Sequence, residues 1–156
     1  MTYVFDTEPL VAYLYDEPGA ATVGERLRAV EAEEASGVIA HATAVEVVYK
    51  IARLETGEPN RRVPSKAELD VGERDLRMLR GFGLRVETPS TGAVARIKAT
   101  GGISLGDAYA VALAFEREAT LVVGSDPEFD DLPVAVKLDR VREDPAESGR
   151  WNRQGS

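Results

Sequence analysis

Four acidic residues stand where predicted strands end or predicted helices begin. Asp6 and Asp126 each follow a short apolar run that is typical of a buried strand. Glu46 lies in the first turn of a predicted helix that follows a strand closely, and Asp107 lies near the start of an alanine-rich helix. Ligands of open parallel sheets bind beyond the carboxyl ends of the strands. We therefore expect the four carboxylates to meet at one edge of a sheet.

A group of carboxylates at one edge points to a bound cation. Like charges raise one another's pKa unless a positive charge neutralises them. The sequence has no cysteine and a single histidine, His41, so a metal would be held mainly by oxygen. Oxygen ligands favour hard cations such as Mg²⁺ or Mn²⁺. Two such ions about 4 Å apart can clamp the attacking and leaving oxygens of a phosphodiester.

Each acid also has a purely structural interpretation. Thr43–Glu46 and Ser104–Asp107 match the capping box, in which a hydroxyl caps a helix and an acid three residues later bonds back to the cap amide. Asp126 precedes a proline and Asp6 precedes a predicted helix, so both are also expected helix caps. Taken singly, each acid is more often a cap than a ligand. Their joint placement favours the metal site.

Strands and helices alternate along the chain. The predicted strands are Thr2–Phe5, Gly37–Ala40, Leu84–Val86, Thr120–Val123 and Val134–Leu138. The predicted helices run from about Leu10 to Leu14, Val23 to Val30, Thr43 to Leu54, Ser65 to Arg80, Ser90 to Thr100 and Ser104 to Glu118. Alternation of this kind predicts an α/β fold with a mainly parallel five-stranded sheet covered by helices on both faces.

Length and composition indicate one globular domain. The 156 residues suffice for a single core, and 44% hydrophobic content is typical of folded proteins. We expect residues 1–141 to form the domain and residues 142–156 to form a polar, flexible tail. Without an apolar run of about 20 residues or a leader-like N-terminus, the chain is expected to be cytoplasmic, with no membrane partner.

The segments that carry the four acids resemble the acidic motifs of PIN-domain nucleases, in the same order and at similar intervals. These segments are Val4–Thr7, Thr43–Val48, Ser104–Ala114 and Val122–Phe129, and the resemblance spans about residues 1–138. One departure is Gly124, where the family often has a threonine, although Ser125 offers a nearby hydroxyl. Each motif alone is weak, but four in register are fairly specific.

The resemblance implies a fold, an activity and partners. It implies a three-layer α/β/α PIN-like fold and a Mg²⁺- or Mn²⁺-dependent endoribonuclease that hydrolyses RNA phosphodiester bonds. By this resemblance Asp6, Glu46 and Asp107 bind the metal and Asp126 supports the site. Many compact members are toxins of toxin–antitoxin pairs of the VapC type, so we expect an RNA substrate, a small antitoxin protein and a homodimer.

Further residues are candidates for supporting roles. Thr7 and Ser125 are expected to orient the acids, and Glu128 is a possible further ligand or a first-turn helix residue. Basic residues that are candidates for RNA contact are Lys50, Arg53, Arg61 and Arg62. For Lys50 and Arg53 the favoured interpretation is an i,i+4 pair with Glu46 and a solvated arginine.

Three alternatives stay open on the sequence alone. The first is a free-standing PIN-domain nuclease that processes RNA. The second is a receiver-like regulatory domain with an acidic Mg²⁺ pocket, although the expected lysine after a late strand is not evident. The third is a PIN-like domain that only binds. The net charge of -8 argues against a nucleic-acid partner in general, but cations at a carboxylate site invert the local charge.

Overall fold

A five-stranded parallel sheet forms the centre of the molecule. The structure is a computed structural model that describes residues 1–142, so the predicted tail, residues 142–156, lies outside the described residues except for Arg142. The strands are β1 (Thr2–Phe5), β2 (Ser36–Ala40), β3 (Arg85–Glu87), β4 (Thr120–Val123) and β5 (Lys137–Arg140). The helices are α1 (Thr7–Leu14), α2 (Ala20–Glu31), α3 (His41–Glu55), α4 (Lys66–Arg80), α5 (Thr91–Ala99) and α6 (Leu105–Glu116).

The strand order is β3-β2-β1-β4-β5, and every neighbouring pair is parallel. This confirms the predicted α/β class and the five-stranded sheet. The order differs from the 2-1-3-4-5 arrangement of flavodoxin-like and receiver-type domains. The receiver-like alternative is therefore wrong. With β1 in the middle and β4 beside it, the loops that follow these two strands emerge side by side.

Side chains of the central strands alternate between two apolar cores, one on each face of the sheet. In β1, Val4 joins one core whereas Tyr3 and Phe5 join the other. In β4, Val123 packs with the first core and Val122 with the second. The first core also takes residues of α5 and α6, and the second takes residues of α2, α3 and α4. The result is the expected three-layer arrangement of helices, sheet and helices.

The last strand begins three residues later than predicted. The apolar residues Val134 and Val136 pack against a core, but β5 pairs with β4 only from Lys137 onward. An edge strand has a neighbour on one side only, so its sequence is more polar than that of a central strand. The apolar run before it covers the core without joining the sheet. None of the described helices is long and apolar enough to cross a membrane.

Candidate active site

A cavity of about 390 Å³ opens at the carboxyl edge of the sheet, and all four sequence-predicted acids line it. The residues around it include six acids and two bases: Asp6, Glu8, Glu17, Glu46, Asp107, Asp126, Lys50 and Arg142. Four different elements deliver the predicted acids, because one follows β1, one follows β4 and the other two lie on α3 and α6. The expected convergence of these side chains is what the structure shows.

Asp6 lies at the centre of this edge. Its amide donates to the carbonyl of Val122 at 2.9 Å, which continues the β1–β4 pairing by one residue and fixes the backbone. The side chain is only 6% exposed. Burial raises the pKa of Asp6 to about 7; the amide of Thr7 and the charge of Lys50 oppose this, and Glu46 adds to it. A cation-free cavity near neutral pH therefore favours a proton on Asp6.

Glu46 reaches the cavity from the second turn of α3. A capping box at Thr43 was predicted, but α3 begins at His41 with Ala40 as its N-cap. Thr43 is instead buried within the helix, and its hydroxyl has no hydrogen-bond partner among the described residues. The prediction failed because the strand leads directly into the helix without a polar cap. Burial raises the pKa of Glu46, whereas the charge of Lys50 lowers it.

The carboxylate of Glu46 rests against the backbone of α6. A Cβ atom on Gly106 would lie 1.8 Å from Glu46 Oε1. Glycine at this position leaves the space that the Glu46 carboxylate occupies. Gly106 directly precedes Asp107, so the Glu46 carboxylate lies close to the backbone that carries Asp107.

One of the two hydrogen bonds of the capping box predicted for Ser104 and Asp107 is present. The Asp107 amide donates to Ser104 Oγ at 3.2 Å, which caps α6. The carboxyl group does not return to the Ser104 amide but hydrogen-bonds with Glu128, and Glu128 Oε2 accepts from that amide at 3.4 Å. Burial and the bond with Glu128 hold the pKa of Asp107 well above its ordinary range, while the same bond lowers the pKa of Glu128. The bond between the two acids therefore favours the protonated form of Asp107 and the ionised form of Glu128.

Asp126 is a cap as well as a cavity residue. Its Oδ1 accepts from the Glu128 amide at 2.9 Å at the start of a short 3₁₀ turn, Pro127–Phe129. Arg140 on β5 holds the same loop from the other side. Its Nη1 donates to the carbonyls of Gly124 at 3.0 Å and Asp126 at 3.2 Å, and Nη2 binds Asp130. These bonds fix the backbone that presents Asp126 to the cavity.

The donor set fits a hard divalent cation. One trio within residues 1–142, Asp107, Asp126 and Glu128, has carboxylate oxygens that all lie within 4.8 Å of one another. Asp6 and Glu46 line the same cavity but are not part of that trio. His41 is exposed at the first residue of α3 and is not a lining residue. The trio offers carboxylate oxygens, which are ligands that Mg²⁺ and Mn²⁺ prefer.

Three charged residues of the cavity were not singled out from the sequence: Glu8, Glu17 and Arg142. The glycine at position 124 is the feature of the sequence that could have indicated Glu8. A Cβ atom on Gly124 would lie 2.3 Å from the carboxyl carbon of Glu8. A threonine, which the family often has at this position, would displace Glu8. The absence of a side chain at Gly124 therefore leaves the space that the Glu8 carboxyl group occupies.

The remaining predicted residues divide into two groups. Thr7, Ser125 and Lys50 line the cavity, and the first two are buried. Arg53 does not line it. Arg53 instead binds the carbonyl of Pro59 and Asn60 Oδ1, and it stacks over the ring of Tyr49. It thus ties down the loop after α3.

Arg61 and Arg62 are exposed in the loop between α3 and α4. The structure brings neither of them to the cavity lining. A role for these two arginines in RNA contact stays a prediction.

Comparisons with known proteins agree with this architecture. The sequence model of the PIN domain matches residues 3–135. Among solved structures, VapBC2 from Rickettsia felis bound to a DNA fragment from its promoter aligns with a TM-score of 0.63 and 17% identity, covering 90% of this chain and 98% of the other. DNA-bound VapBC from Salmonella typhimurium aligns with a TM-score of 0.59, also at 17% identity and with the same coverage. No curated protein gave a match.

Replacing Asp6 by asparagine should stabilise the protein when divalent cations are removed with EDTA. The pKa of about 7 in the folded state exceeds the ordinary 3.8, so ionising Asp6 costs folding free energy that grows as pH rises from about 4 to above 7. We expect Asp6→Asn to gain about 1–3 kcal/mol at pH 8 and almost nothing at pH 4. Thermal unfolding of both proteins across this pH range measures the difference. A gain that is equal at both pH values would contradict the assigned cause.

Gly106→Ala should weaken cation binding without unfolding the protein. The new methyl group must push the Glu46 carboxylate away, and a side-chain end moves more easily than a backbone. The matched control is Gly92→Ala at the same position of α5, where the nearest atom to an added Cβ is 3.6 Å away. We expect Mn²⁺ affinity, measured by calorimetry, to fall by roughly tenfold in Gly106→Ala only. Equal affinities in the two variants would show that Glu46 does not contribute to the site.

Proposed function

The chain belongs to the PIN domain family, and from that premise we propose that it is a Mg²⁺- or Mn²⁺-dependent endoribonuclease that hydrolyses RNA phosphodiester bonds. One observation carries the proposal. Asp6, Glu46, Asp107 and Asp126 come from four elements of the fold and line one cavity. Acids brought together only as helix caps would not need to share a buried space.

The energetic cost of the arrangement supports a catalytic rather than a structural role. Asp6 and Asp107 both have raised pKa values, with burial as the largest cause. Buried carboxylates that repel one another lower stability, and folds retain such groups mainly where function requires them. A catalytically silent binding module would gain nothing from four acids in this state.

The residues at the cavity would have different roles in hydrolysis. Asp107, Asp126 and Glu128 would hold a divalent cation together with Asp6, and Glu46 would complete the ligand set. When bound, the cation supplies the positive charge that activates water and stabilises the phosphoryl transition state. Lys50 lies at the same cavity and offers a positive charge to a substrate phosphate. Thr7 and Ser125, which are buried at its wall, would restrict how the neighbouring acids move.

The acidic chain can bind RNA at this cavity only if bound cations offset the negative charge. A net charge of -8 and six acids at the cavity repel an RNA phosphate. Bound cations reverse the local charge, so substrate binding and cation binding become linked. We expect RNA affinity to depend strongly on divalent cations, more than for a nuclease with a basic surface.

We further propose that the chain is the toxin of a toxin–antitoxin pair, which acts as a homodimer inside the cell. The likeness to two VapBC structures, each covered over 98% of its length, supports this role. A small antitoxin would silence the enzyme by inserting a basic side chain among the carboxylates in place of the cation. A free-standing RNA-processing nuclease is the other outcome of the test below.

Substitution of a central acid should abolish RNA cleavage. We expect Asp6→Asn and Asp107→Asn to reduce the rate by roughly 100-fold or more while the proteins stay folded, because each removes a ligand charge. Asp70→Asn on the exposed face of α4 is the matched control and should keep full activity. Cleavage of labelled RNA with Mg²⁺, Mn²⁺ or EDTA gives the rates. Full activity in either central variant, or full activity in EDTA, would refute the proposal.

Expression of the chain in a bacterial host should arrest growth if it is a toxin. The arrest should vanish with Asp6→Asn, because it depends on RNA cleavage, and it should also vanish when the product of the adjacent gene is co-expressed. Growth curves and total RNA integrity measure both effects. Unimpaired growth together with active RNA cleavage in vitro would favour the free-standing nuclease.

A further inference from the structure

Arg142 is a buried cation at a cavity otherwise lined by acids. It follows β5 by two residues, just after the amide of Val141 donates to the carbonyl of Val123 at 3.0 Å. This bond continues the β4–β5 pairing and places Arg142 at the same edge as the acids. The side chain is only 4% exposed and lines the cavity. The side chain therefore belongs to the wall of the cavity and not to the outer surface.

The turn between α1 and α2 packs closely against the segment that carries this arginine. Gly19 in that turn has a φ of +94°, and a Cβ atom there would lie 2.6 Å from the carbonyl oxygen of Val141 and 3.4 Å from Cβ of Arg142. Any other residue at position 19 would be strained by its φ and would separate the turn from the end of β5. The close approach made possible by Gly19 keeps Arg142 under the turn.

The guanidinium of Arg142 has donors without acceptors. Its Nη1 lies 3.7 Å from Glu8 Oε1, which is an ion pair but is too long for a hydrogen bond. Nε and Nη2 are buried and have no hydrogen-bond partner among the described residues. Arg140, two residues earlier, has Nη1 and Nη2 hydrogen-bonded to three acceptors. The two arginines are close in sequence, yet the guanidinium of Arg140 is hydrogen-bonded to the protein whereas that of Arg142 makes an ion pair with Glu8.

Buried donors of this kind lower stability unless a ligand or a partner uses them. An unsatisfied buried polar group costs roughly 1–3 kcal/mol, and more when it is charged. The planar guanidinium matches the oxygens of a phosphate, which can accept two parallel hydrogen bonds. A cavity of about 390 Å³ is within the range of sites that enclose small ligands. A phosphate group is an anion that such a donor set recognises.

We infer that Arg142 binds phosphate in the cavity beside Lys50, and that it donates hydrogen bonds to the RNA phosphate that is cleaved. The inference rests on the proposed ribonuclease activity and adds a substrate contact to it. Cations at the carboxylates and the guanidinium of Arg142 would then act on the same phosphate. Glu8 would hold the guanidinium in place through its charge when RNA is absent.

The direct test is RNA affinity in the presence of Ca²⁺ in place of Mg²⁺, with a short fluorescein-labelled oligoribonucleotide whose integrity is checked on a gel. We expect Arg142→Gln to raise the Kd by about tenfold. Arg142→Lys keeps the charge but loses the paired donors, so its Kd should be intermediate. A plot of the logarithm of the binding constant against the logarithm of the salt concentration should have a slope that is smaller in magnitude by about one in Arg142→Gln.

The matched control is Arg117→Gln, which removes an arginine that is paired with Glu87 and is not a cavity residue. Its RNA affinity should stay within about twofold of the parent. An unchanged Kd in Arg142→Gln would overturn the inference.

A purely structural role for Arg142 predicts a different pattern. If its only task is to neutralise Glu8, adding Glu8→Gln to Arg142→Gln should restore both the melting temperature and the RNA affinity. Restoration of both would overturn the inference. Recovery of the melting temperature with RNA affinity still weak would support it.

Inorganic phosphate separates this inference from the proposed function. If the parent protein neither binds nor cleaves RNA, the ribonuclease proposal fails, but the anion site can still be examined. Phosphate should raise the melting temperature of the parent relative to chloride at equal ionic strength, and it should not do so in Arg142→Gln. The same shift in both proteins, or no shift in either, would overturn the assignment of Arg142.

Discussion

Burial of several carboxyl groups at one edge of the sheet, to which repulsion between them adds, is the constraint on which the rest of this structure depends. Asp6 and Asp107 are held where burial and neighbouring acids raise their pKa values, and Glu46 is affected in the same direction. Without a bound divalent cation, ionisation of these carboxyl groups costs stability, and their raised pKa values favour the protonated forms. A divalent cation stabilises the ionised carboxylates and competes with those protons.

The surrounding fold holds these charges close together by two devices. Glycines remove the side chains that would keep the acids apart, as Gly106 does for Glu46 and Gly124 does for Glu8. Arg140, at the end of the edge strand, then fixes the loop after β4, because its guanidinium donates to the main-chain carbonyls of Gly124 and Asp126. The polar edge strand β5 thus helps to position Asp126, which lines the cavity.

The sequence predicted most of the fold because its apolar pattern is strong in the central strands. The carboxyl edge of a parallel sheet then followed from topology, and Asp6 and Asp126 could be placed there directly. The start of α3 and the start of β5 were predicted less well. Ala40 caps α3 without a polar side chain, and β5 has a polar sequence that is typical of an edge. In both cases tertiary contacts outweigh the local signal.

Three cavity residues, Glu8, Glu17 and Arg142, could not be predicted from the sequence for a different reason. Arg142 was assigned to the tail because the segment that it begins is polar and contains proline and glycine, but the structure shows that Arg142 is buried. Glu8 was one acid among many in an acidic chain. Long-range packing decides which charged residues face the cavity, and such packing is not encoded by spacing along the sequence.

Proton release on cation binding tests most directly the claim that this cavity is a divalent-cation site. Calorimetric titration with Mn²⁺ near pH 7 in two buffers of different ionisation enthalpy counts the protons displaced. Since Asp6 and the Asp107–Glu128 pair hold protons in the cation-free state, binding should release about one proton or more per protein molecule. Binding heats that are the same in both buffers, or no binding at all, would contradict the claim.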